Sequence, residues 1–360
     1  MHNDNVQTLH LGYIPLIDCA PLVAAVRLGL DRKHGLRLQL RRQASWAAIR
    51  DKLLSGELDA VHALMGLVYG VETGIGGPRA DLAILLTLNQ NGQAIALSPS
   101  LAQGLQQGVP LPELLSALPR RPVFAQTFPT GTHAMWLYYW LAAQGVNPMT
   151  SIQSVTLPPP QMPDALARGE LDGYCAGEPW AAQAEALGAG RRVIRSGQLW
   201  PGHPEKVLAC RREFAALQPE VVVALTATLL EACRWLDVPG NRQRAVDWLA
   251  DPEVIGLSAE RIAACLLPLD GDDPMQSLRF HADGEVNFPW RSDGRWFLQQ
   301  FRRWGWLPAA SDEDDAALLD NVRRVETYRQ AAALVDVPVP VGDLKPLSQR
   351  ERGWGEGRTK

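Results

Sequence analysis

Short apolar stretches alternate with amphipathic segments over most of the chain. Residues 9–14 form an apolar run typical of a buried strand, and Trp46–Ser55 has the three-to-four-residue spacing of an amphipathic helix. Ser45, just before that helix, is a residue type that caps helix starts. Strand and helix patterns that alternate in this way predict an α/β fold with parallel sheets flanked by helices.

A five-residue phrase occurs twice. Residues 56–60 read GELDA and residues 169–173 read GELDG, and each copy follows a predicted helix and precedes a short apolar stretch. A helix that ends at Gly and continues through a turn into a buried strand is an α/β unit. Chance recurrence of common residues is the alternative, but the matching flanks favour two similar lobes. Small ligands often bind in the cleft between such lobes.

The order of the predicted elements divides the chain into four parts. We predict the first part of lobe 1 over residues 1–97, lobe 2 over residues 98–197, and a return to lobe 1 with a mainly helical C-terminal part over residues 198–335. Residues 336–360 are rich in Pro, Gly and charge, and we predict that they form a disordered tail.

The composition excludes several classes of function. The chain is 46% apolar and 21% charged, as ordinary globular proteins are, and its net charge of −4 provides no basic field for nucleic acid or anionic lipid. We therefore expect neither nucleic acid nor membrane as a direct partner. Five scattered cysteines without a C-x-x-C motif indicate neither a disulfide framework nor a zinc site.

The first strand pattern begins at about Thr8, and no basic and apolar leader precedes it, which predicts a cytoplasmic location. Motifs for a Walker A loop, G-x-G-x-x-G, G-x-S-x-G and H-E-x-x-H do not occur. We therefore expect a binding protein rather than an enzyme. A catalytic group assembled only by folding remains the alternative.

The positive signals concern a bound anion. Gly131, Thr132 and His133 follow a predicted strand and open a predicted helix, where backbone N–H groups and the helix dipole attract negative charge. His133 either donates one N–H to the ligand or bonds to nearby backbone. Trp46, near another helix start, either offers its indole N–H or fills the core between helices.

Two further side chains can complete such a site. Gln93 lies beside the predicted crossover between lobes, where its amide either donates to an anion or caps a strand. Lys206 is one of five lysines against thirty arginines, which favours a compact point charge at this position. The alternative for Lys206 is a solvated surface residue paired with Glu205.

Several segments together resemble the nitrate- and bicarbonate-binding proteins of ABC transporters. They are residues 11–22, 44–52, 89–94, 131–133, 177–180 and 203–206, and the resemblance extends from about residue 9 to residue 335. It implies a two-lobed, periplasmic-binding-protein-like fold of type II with an oxyanion in the interlobe cleft.

The resemblance also implies which residues bind the ion. In the nitrate branch, the residues matching Trp46, Gln93, His133 and Lys206 hold it, beside Gly131 and Thr132, and Glu178 and Trp180 are expected to support them. The bicarbonate branch has an acidic residue at the position of Lys206 and uses calcium. Lys206 therefore favours nitrate or nitrite, with no metal and no cofactor. Departures at Ala48 and at residues 65–67 leave the ion selectivity open.

Transporter-linked members of this family are exported and tethered, whereas this chain begins at its first strand. Within the resemblance we therefore predict the cytosolic nitrate/nitrite sensor branch. Its members hold an ANTAR-domain RNA-binding antiterminator and release it when nitrate binds, which regulates nitrate assimilation genes. The first alternative is the substrate-binding protein of a nitrate, or less plausibly bicarbonate, ABC transporter. The second is an enzyme on the same fold, such as a pyrimidine-precursor synthase.

Overall fold

The computed structural model describes residues 6–268 and 271–345. Their strands are β1 (Gln7–Tyr13), β2 (Leu36–Arg42), β3 (Ala60–Leu64), β4 (Leu82–Thr87), β5 (Gln93–Leu97), β6 (Val123–Gln126), β7 (Gln153–Thr156), β8 (Gly173–Gly177), β9 (Arg191–Arg195) and β10 (Lys206–Arg211). Their α-helices are α1 (Ala20–Arg27), α2 (Leu30–Lys33), α3 (Trp46–Ser55), α4 (Met65–Thr73), α5 (Pro99–Gln106), α6 (Leu111–Ser116), α7 (Thr132–Ala143), α8 (Met162–Ala167), α9 (Trp180–Ala186), α10 (Ser196–Leu199), α11 (Arg212–Leu217), α12 (Pro219–Leu236), α13 (Pro239–Ala250), α14 (Ala259–Leu266), α15 (Arg291–Arg303), α16 (Asp312–Val322) and α17 (Val325–Leu334).

The strands form two five-stranded sheets, one in each lobe. The order is β2-β1-β3-β10-β4 in the first sheet and β7-β6-β8-β5-β9 in the second. The predicted two-lobed α/β fold is confirmed, with the difference that both sheets are mixed rather than parallel. β10 runs antiparallel to both of its neighbours, and so does β5. Both strands are reached by a crossing from the other lobe, and this reverses their direction.

The first crossing lies earlier than the sequence predicts. β5 belongs to the second sheet, between β8 and β9, so the chain leaves the first lobe between β4 and β5 rather than after residue 97. The apolar runs of β4 and β5 are both fully buried and look alike in the sequence. Their pairing partners are distant in sequence, so local pattern could not separate them.

The repeated phrase marks equivalent positions in the two sheets. The first copy leads into β3 beside β1, and the second leads into β8 beside β6. In each copy the aspartate carboxylate accepts a backbone N–H from the neighbouring strand at 2.7 Å: Asp59 from His10, and Asp172 from Val123. The shared geometry accounts for the aspartate of the phrase, which in each copy binds the turn to the adjacent strand.

The predicted disordered tail is wrong for residues 336–345. Val337 is buried, and Asp343 pairs with Arg323 at 3.0 Å, while its backbone carbonyl accepts the N–H of Arg291. Lys345 Nζ donates to the carbonyl of Gly202 at 2.8 Å. Single apolar and charged residues in a Pro-rich stretch give no periodic signal, although they find partners on lobe 1. The remainder of the predicted tail lies outside the described residues.

Among residues 6–268 and 271–345, no helix combines the length and the apolar character needed to cross a bilayer. The larger apolar core fills lobe 1 and its helices and continues into lobe 2 around α7, and a smaller cluster lies against the second sheet.

Candidate functional site

Side chains from both lobes meet in a buried cluster between the two sheets. Trp46 begins α3 after its N-cap Ser45, whose hydroxyl accepts the N–H of Ala48 at 3.2 Å. His133 lies in the first turn of α7, and Lys206 is the first residue of β10. All three site side chains are fully buried. The starts of α3, α7 and β10 thus bring the Trp46 ring, the His133 imidazole and the Lys206 ammonium group together.

Lys206 is the centre of a buried ion network. Its Nζ donates to Asp18 Oδ2 at 2.8 Å and to Glu205 Oε1, and it lies 5.6 Å from the centre of the Trp46 ring. Both carboxylates are also fully buried. This environment excludes the surface-lysine alternative, although the predicted pairing with Glu205 is present.

The charge states of this network follow from its geometry. Burial alone would raise the pKa of Asp18, but Lys206 and His62 lower that pKa to about 2. Burial likewise opposes ionisation of Glu205, yet Lys206 and His133 hold its pKa below the usual value. The two carboxylates in turn outweigh burial and raise the pKa of Lys206. At neutral pH the three groups are therefore ionised and carry a net charge of −1.

Two neutral histidines flank the ion network. His62 Nε2 contacts Asp18 Oδ1 at 2.9 Å, and His133 Nε2 lies 3.2 Å from Glu205 Oε1. His133 Nδ1 is hydrogen-bonded to the Thr127 hydroxyl at 2.5 Å. Burial lowers the pKa of both histidines, and Lys206 lowers it further. Each imidazole therefore offers a single N–H at neutral pH, as predicted for His133 from its position.

Several buried polar atoms of the cluster have no hydrogen-bond partner among the described residues. They include the indole N–H of Trp46 and both amide atoms of Gln93. The Trp46 ring packs 5.7 Å from His62 and 6.5 Å from His133, measured between ring centres. Because buried polar atoms are normally paired, a group of unpaired ones beside a buried cation makes this cluster a candidate position for a polar ligand.

Gln93 reaches the cluster through the second sheet. It begins β5 and pairs with Gly177 on β8. A Cβ atom at Gly177 would lie 3.5 Å from Asp18 Oδ2, so the backbone at this point adjoins the ion network. The sheet therefore places Gln93 on the lobe 2 side of the cluster, opposite Lys206 on lobe 1.

Gly131 and Thr132 form the start of α7, where lobe 2 meets lobe 1. The Thr132 hydroxyl donates to Glu205 Oε1 at 3.1 Å. A Cβ atom at Gly131 would lie 2.5 Å from the Leu64 side chain, so a larger residue there would require that side chain to shift. The first N–H groups of an α-helix such as α7 have no partner within the helix.

Glu178 and Trp180 do not join the ion network but hold the lobes together beside it. The Trp180 indole donates to the carbonyl of Pro15 at 2.9 Å, and the Glu178 carbonyl accepts the N–H of Ile17 at 3.0 Å. Since Asp18 follows Ile17, these contacts orient it towards Lys206. The Glu178 carboxylate is paired with Arg192 at 3.0 Å.

The structure adds three residues that sequence reasoning missed: Asp18, His62 and Glu205. Asp18 is the single charged residue in the apolar run of residues 14–26, and His62 interrupts a buried strand. A polar residue inside an apolar run is a usable signal, because burying it is unfavourable without a partner. Glu205 gave no such signal, since a Glu-Lys pair is typical of surfaces.

A separate surface cavity of about 730 Å³ lies on lobe 1, lined by residues that include Tyr13, Lys52 and Glu57. Lys52 is paired with Glu57 at 2.6 Å, and Arg27, also in the lining, with Asp251 at 3.1 Å. Arg41 and Arg42, which also line the cavity, donate to the Gln39 side chain and to the Pro252 carbonyl rather than to a carboxylate. Within the described residues, no group of three or more His, Cys, Asp or Glu side chains is arranged to hold a metal ion.

Comparisons with known proteins identify the family of this chain. Residues 2–250 match the model of the NMT1-like family. The chain is 36% identical over 92% of its length to the nitrate import ATP-binding protein NrtC of Synechococcus elongatus, and 35% identical over 90% of its length to the bicarbonate transport ATP-binding protein CmpC of the same organism. It spans about half the length of these two relatives, 51% and 49%.

A solved structure agrees over nearly the whole chain. The crystal structure of the periplasmic nitrate-binding protein NrtA from Synechocystis superposes with a TM-score of 0.88 at 32% identity, covering 95% of this chain and 93% of the other. The agreement in both fold and sequence includes both lobes.

Proposed function

Since this chain belongs to the NMT1-like family of nitrate- and bicarbonate-type substrate-binding proteins, we propose that it binds nitrate or nitrite between its lobes. The observation that carries the proposal is the set of buried donors without protein partners, the Trp46 indole and the Gln93 amide, around the buried cation of Lys206. A desolvated cation and fixed N–H donors suit a monovalent oxyanion.

The choice of nitrate or nitrite over bicarbonate rests on Lys206. Nitrate is a very weak base, so it needs fixed donors and one cation rather than a group that takes its proton. Lys206 provides that cation, and both of its ion-pair partners are side chains of the same lobe. The likeness to a bicarbonate transport protein makes bicarbonate the competing ligand, and a direct titration separates the two.

The comparisons support a role in transport better than a role in regulation. NrtA is a periplasmic nitrate-binding protein, and NrtC is a nitrate import ATP-binding protein. We therefore propose that this chain is the substrate-binding part of a nitrate ABC importer, with transporter components as its partners, and that it binds rather than converts its ligand. The cytosolic sensor role, the ANTAR-domain partner and the cytoplasmic location stay predictions.

Isothermal titration of the purified chain tests the ligand. Nitrate, nitrite, sulfate, and bicarbonate with and without calcium are titrated separately. We expect one nitrate or nitrite ion per chain, without added metal. Binding of bicarbonate alone would overturn the proposal.

Gln93→Leu tests the site itself. Leucine removes the amide but retains a side chain of similar size, so stability should stay equal or rise, because an unpaired buried amide is lost. Nitrate affinity should fall by about tenfold or more, since a hydrogen bond to a charged group contributes roughly 1.5–3 kcal/mol. Gln300→Leu is the matched control, because Gln300 is buried on α15 with its carbonyl oxygen also unpaired. Unchanged nitrate affinity in Gln93→Leu would place the ion elsewhere.

A further inference from the structure

We propose that the Glu205 carboxylate is an internal competitor of the bound anion, which gives up its donors and takes a proton from solvent when the anion enters. This inference rests on the proposed function, because it concerns how the same site receives nitrate or nitrite. It assigns to Glu205 the role of setting the affinity of the site.

The contacts of Glu205 carry the inference. Its Oε1 accepts from Lys206 Nζ and from the Thr132 hydroxyl at 3.1 Å, and lies 3.2 Å from His133 Nε2. These are three of the groups assigned to the anion. Two of them belong to the start of α7 in lobe 2, whereas Glu205 lies at the start of β10 in lobe 1.

The Glu205 carboxylate and the proposed nitrate ligand are chemically alike. Carboxylate and nitrate are both planar oxyanions with one delocalised negative charge, and both suit the N–H and O–H donors at a helix start. The hydrogens of these donors cannot bond to the Glu205 carboxylate and to nitrate at the same time. Glu205 Oε2 has no partner within the described residues, so only one oxygen of the carboxylate is anchored there.

The charge of the cluster requires a response to ligand binding. Asp18 and Glu205 oppose the single cation of Lys206, and a further anion would bring the buried charge from −1 to −2. Like charges in a desolvated cluster repel strongly. A proton on Glu205 returns the charge to −1. The other titratable groups that interact electrostatically with Glu205 are His133, His203, His62 and Cys175, and Asp18 shares the Lys206 ammonium group with it.

Asp18, the other carboxylate that contacts Lys206, differs from Glu205 in its remaining contacts. Asp18 contacts Lys206 and His62, which belong to lobe 1, and among the described residues it forms no hydrogen bond or ion pair with the start of α7. It therefore balances Lys206 without occupying the donors of lobe 2. Of the two carboxylates that contact Lys206 among the described residues, only Glu205 joins this cation to the start of α7 in the other lobe.

The test compares nitrate titrations of the wild type, Glu205→Gln and Glu213→Gln. Glutamine keeps the shape of the side chain and removes its charge, so Glu205→Gln should bind nitrate at least about tenfold more tightly. Glu213 is exposed on α11, and its variant controls for a change in overall charge; it should match the wild type within about twofold. A folded Glu205→Gln that binds nitrate no more tightly than the wild type overturns the inference.

Proton uptake provides a measurement that does not depend on the variant folding. Nitrate is titrated into the wild type at pH 7 in buffers of different ionisation enthalpy. Uptake of up to one proton per nitrate is expected, with less in Glu205→Gln, and wild-type affinity should rise as the pH falls. Wild-type binding without proton uptake overturns the inference and leaves the proposed function standing. Absence of nitrate binding in both wild type and variant overturns both.

Discussion

Replacing Lys206 by methionine should destabilise the protein strongly at neutral pH. The change keeps a long unbranched side chain and removes the cation. Asp18 and Glu205 then remain buried, fully covered by protein, without the ammonium group that contacts both. If Lys206 were the solvated surface residue that the sequence left as the alternative, the same change would have little effect on stability.

The magnitude follows from the cost of breaking a buried ion pair. Removing one partner typically costs roughly 3–5 kcal/mol, because an uncompensated charge stays in the interior. The matched control is Lys52→Met, whose lysine is 37% exposed in its pair with Glu57, which is 61% exposed. Exposed pairs of this kind contribute roughly 0–1 kcal/mol. The loss in free energy of unfolding should therefore be several-fold larger for Lys206→Met than for Lys52→Met.

The pH dependence gives the prediction a direction. In the wild type the pKa values of Asp18 and Glu205 are lowered by Lys206 against burial, so their contribution to stability is present above the unfolded values of about 4. It is lost as the pH falls through the folded values. In Lys206→Met the same carboxyls lose their cation and their pKa values rise. The variant should thus be weakest near pH 7, and the gap to the wild type should narrow towards pH 4.

Urea unfolding at pH 7 and pH 4 measures these free energies, and nitrate titration of the folded variant should show affinity reduced by about two to three decades. A Lys206→Met protein whose free energy of unfolding at pH 7 is within about 1 kcal/mol of the wild type would refute the reasoning. A difference in free energy of unfolding between the two proteins that does not change with pH would also refute it.

Two further predictions concern stability outside the site. Asp172→Ala removes the acceptor of the Val123 N–H and a partner of Arg120 at 2.7 Å. The change should lower the free energy of unfolding, measured with urea, by roughly 1–3 kcal/mol. Urea unfolding indistinguishable from the wild type would contradict the role given to the aspartate of the repeated phrase. A chain ending at Val335 should unfold at lower urea than one ending at Lys345, because it loses the buried Val337 and the Asp343 ion pairs, roughly 1–3 kcal/mol in all. Both chains should bind nitrate equally, and equal stability of the two would show that these contacts contribute nothing.

Local features of the sequence were sufficient to predict the lobes and several candidate residues. The GELD phrase marks a helix end followed by a turn and a buried strand. This local structure depends on neighbours in the chain, so it can be predicted without the tertiary structure. The start of α7 at Thr132 and the cap at Ser45 are local in the same sense. The resemblance to a family then predicted which residues bind the ligand.

The tertiary structure decided what lies around those residues. Lys206 is buried because β10 enters the first sheet between β3 and β4, a pairing over more than a hundred residues that no local pattern specifies. The same pairing turns Glu205 from an ordinary neighbour of a lysine into a contact of the opposite lobe. Asp18 and His62 join them only because β1 and β3 are adjacent. Charge balance in a buried cluster depends on groups distant in sequence, and therefore only the folded chain determines it.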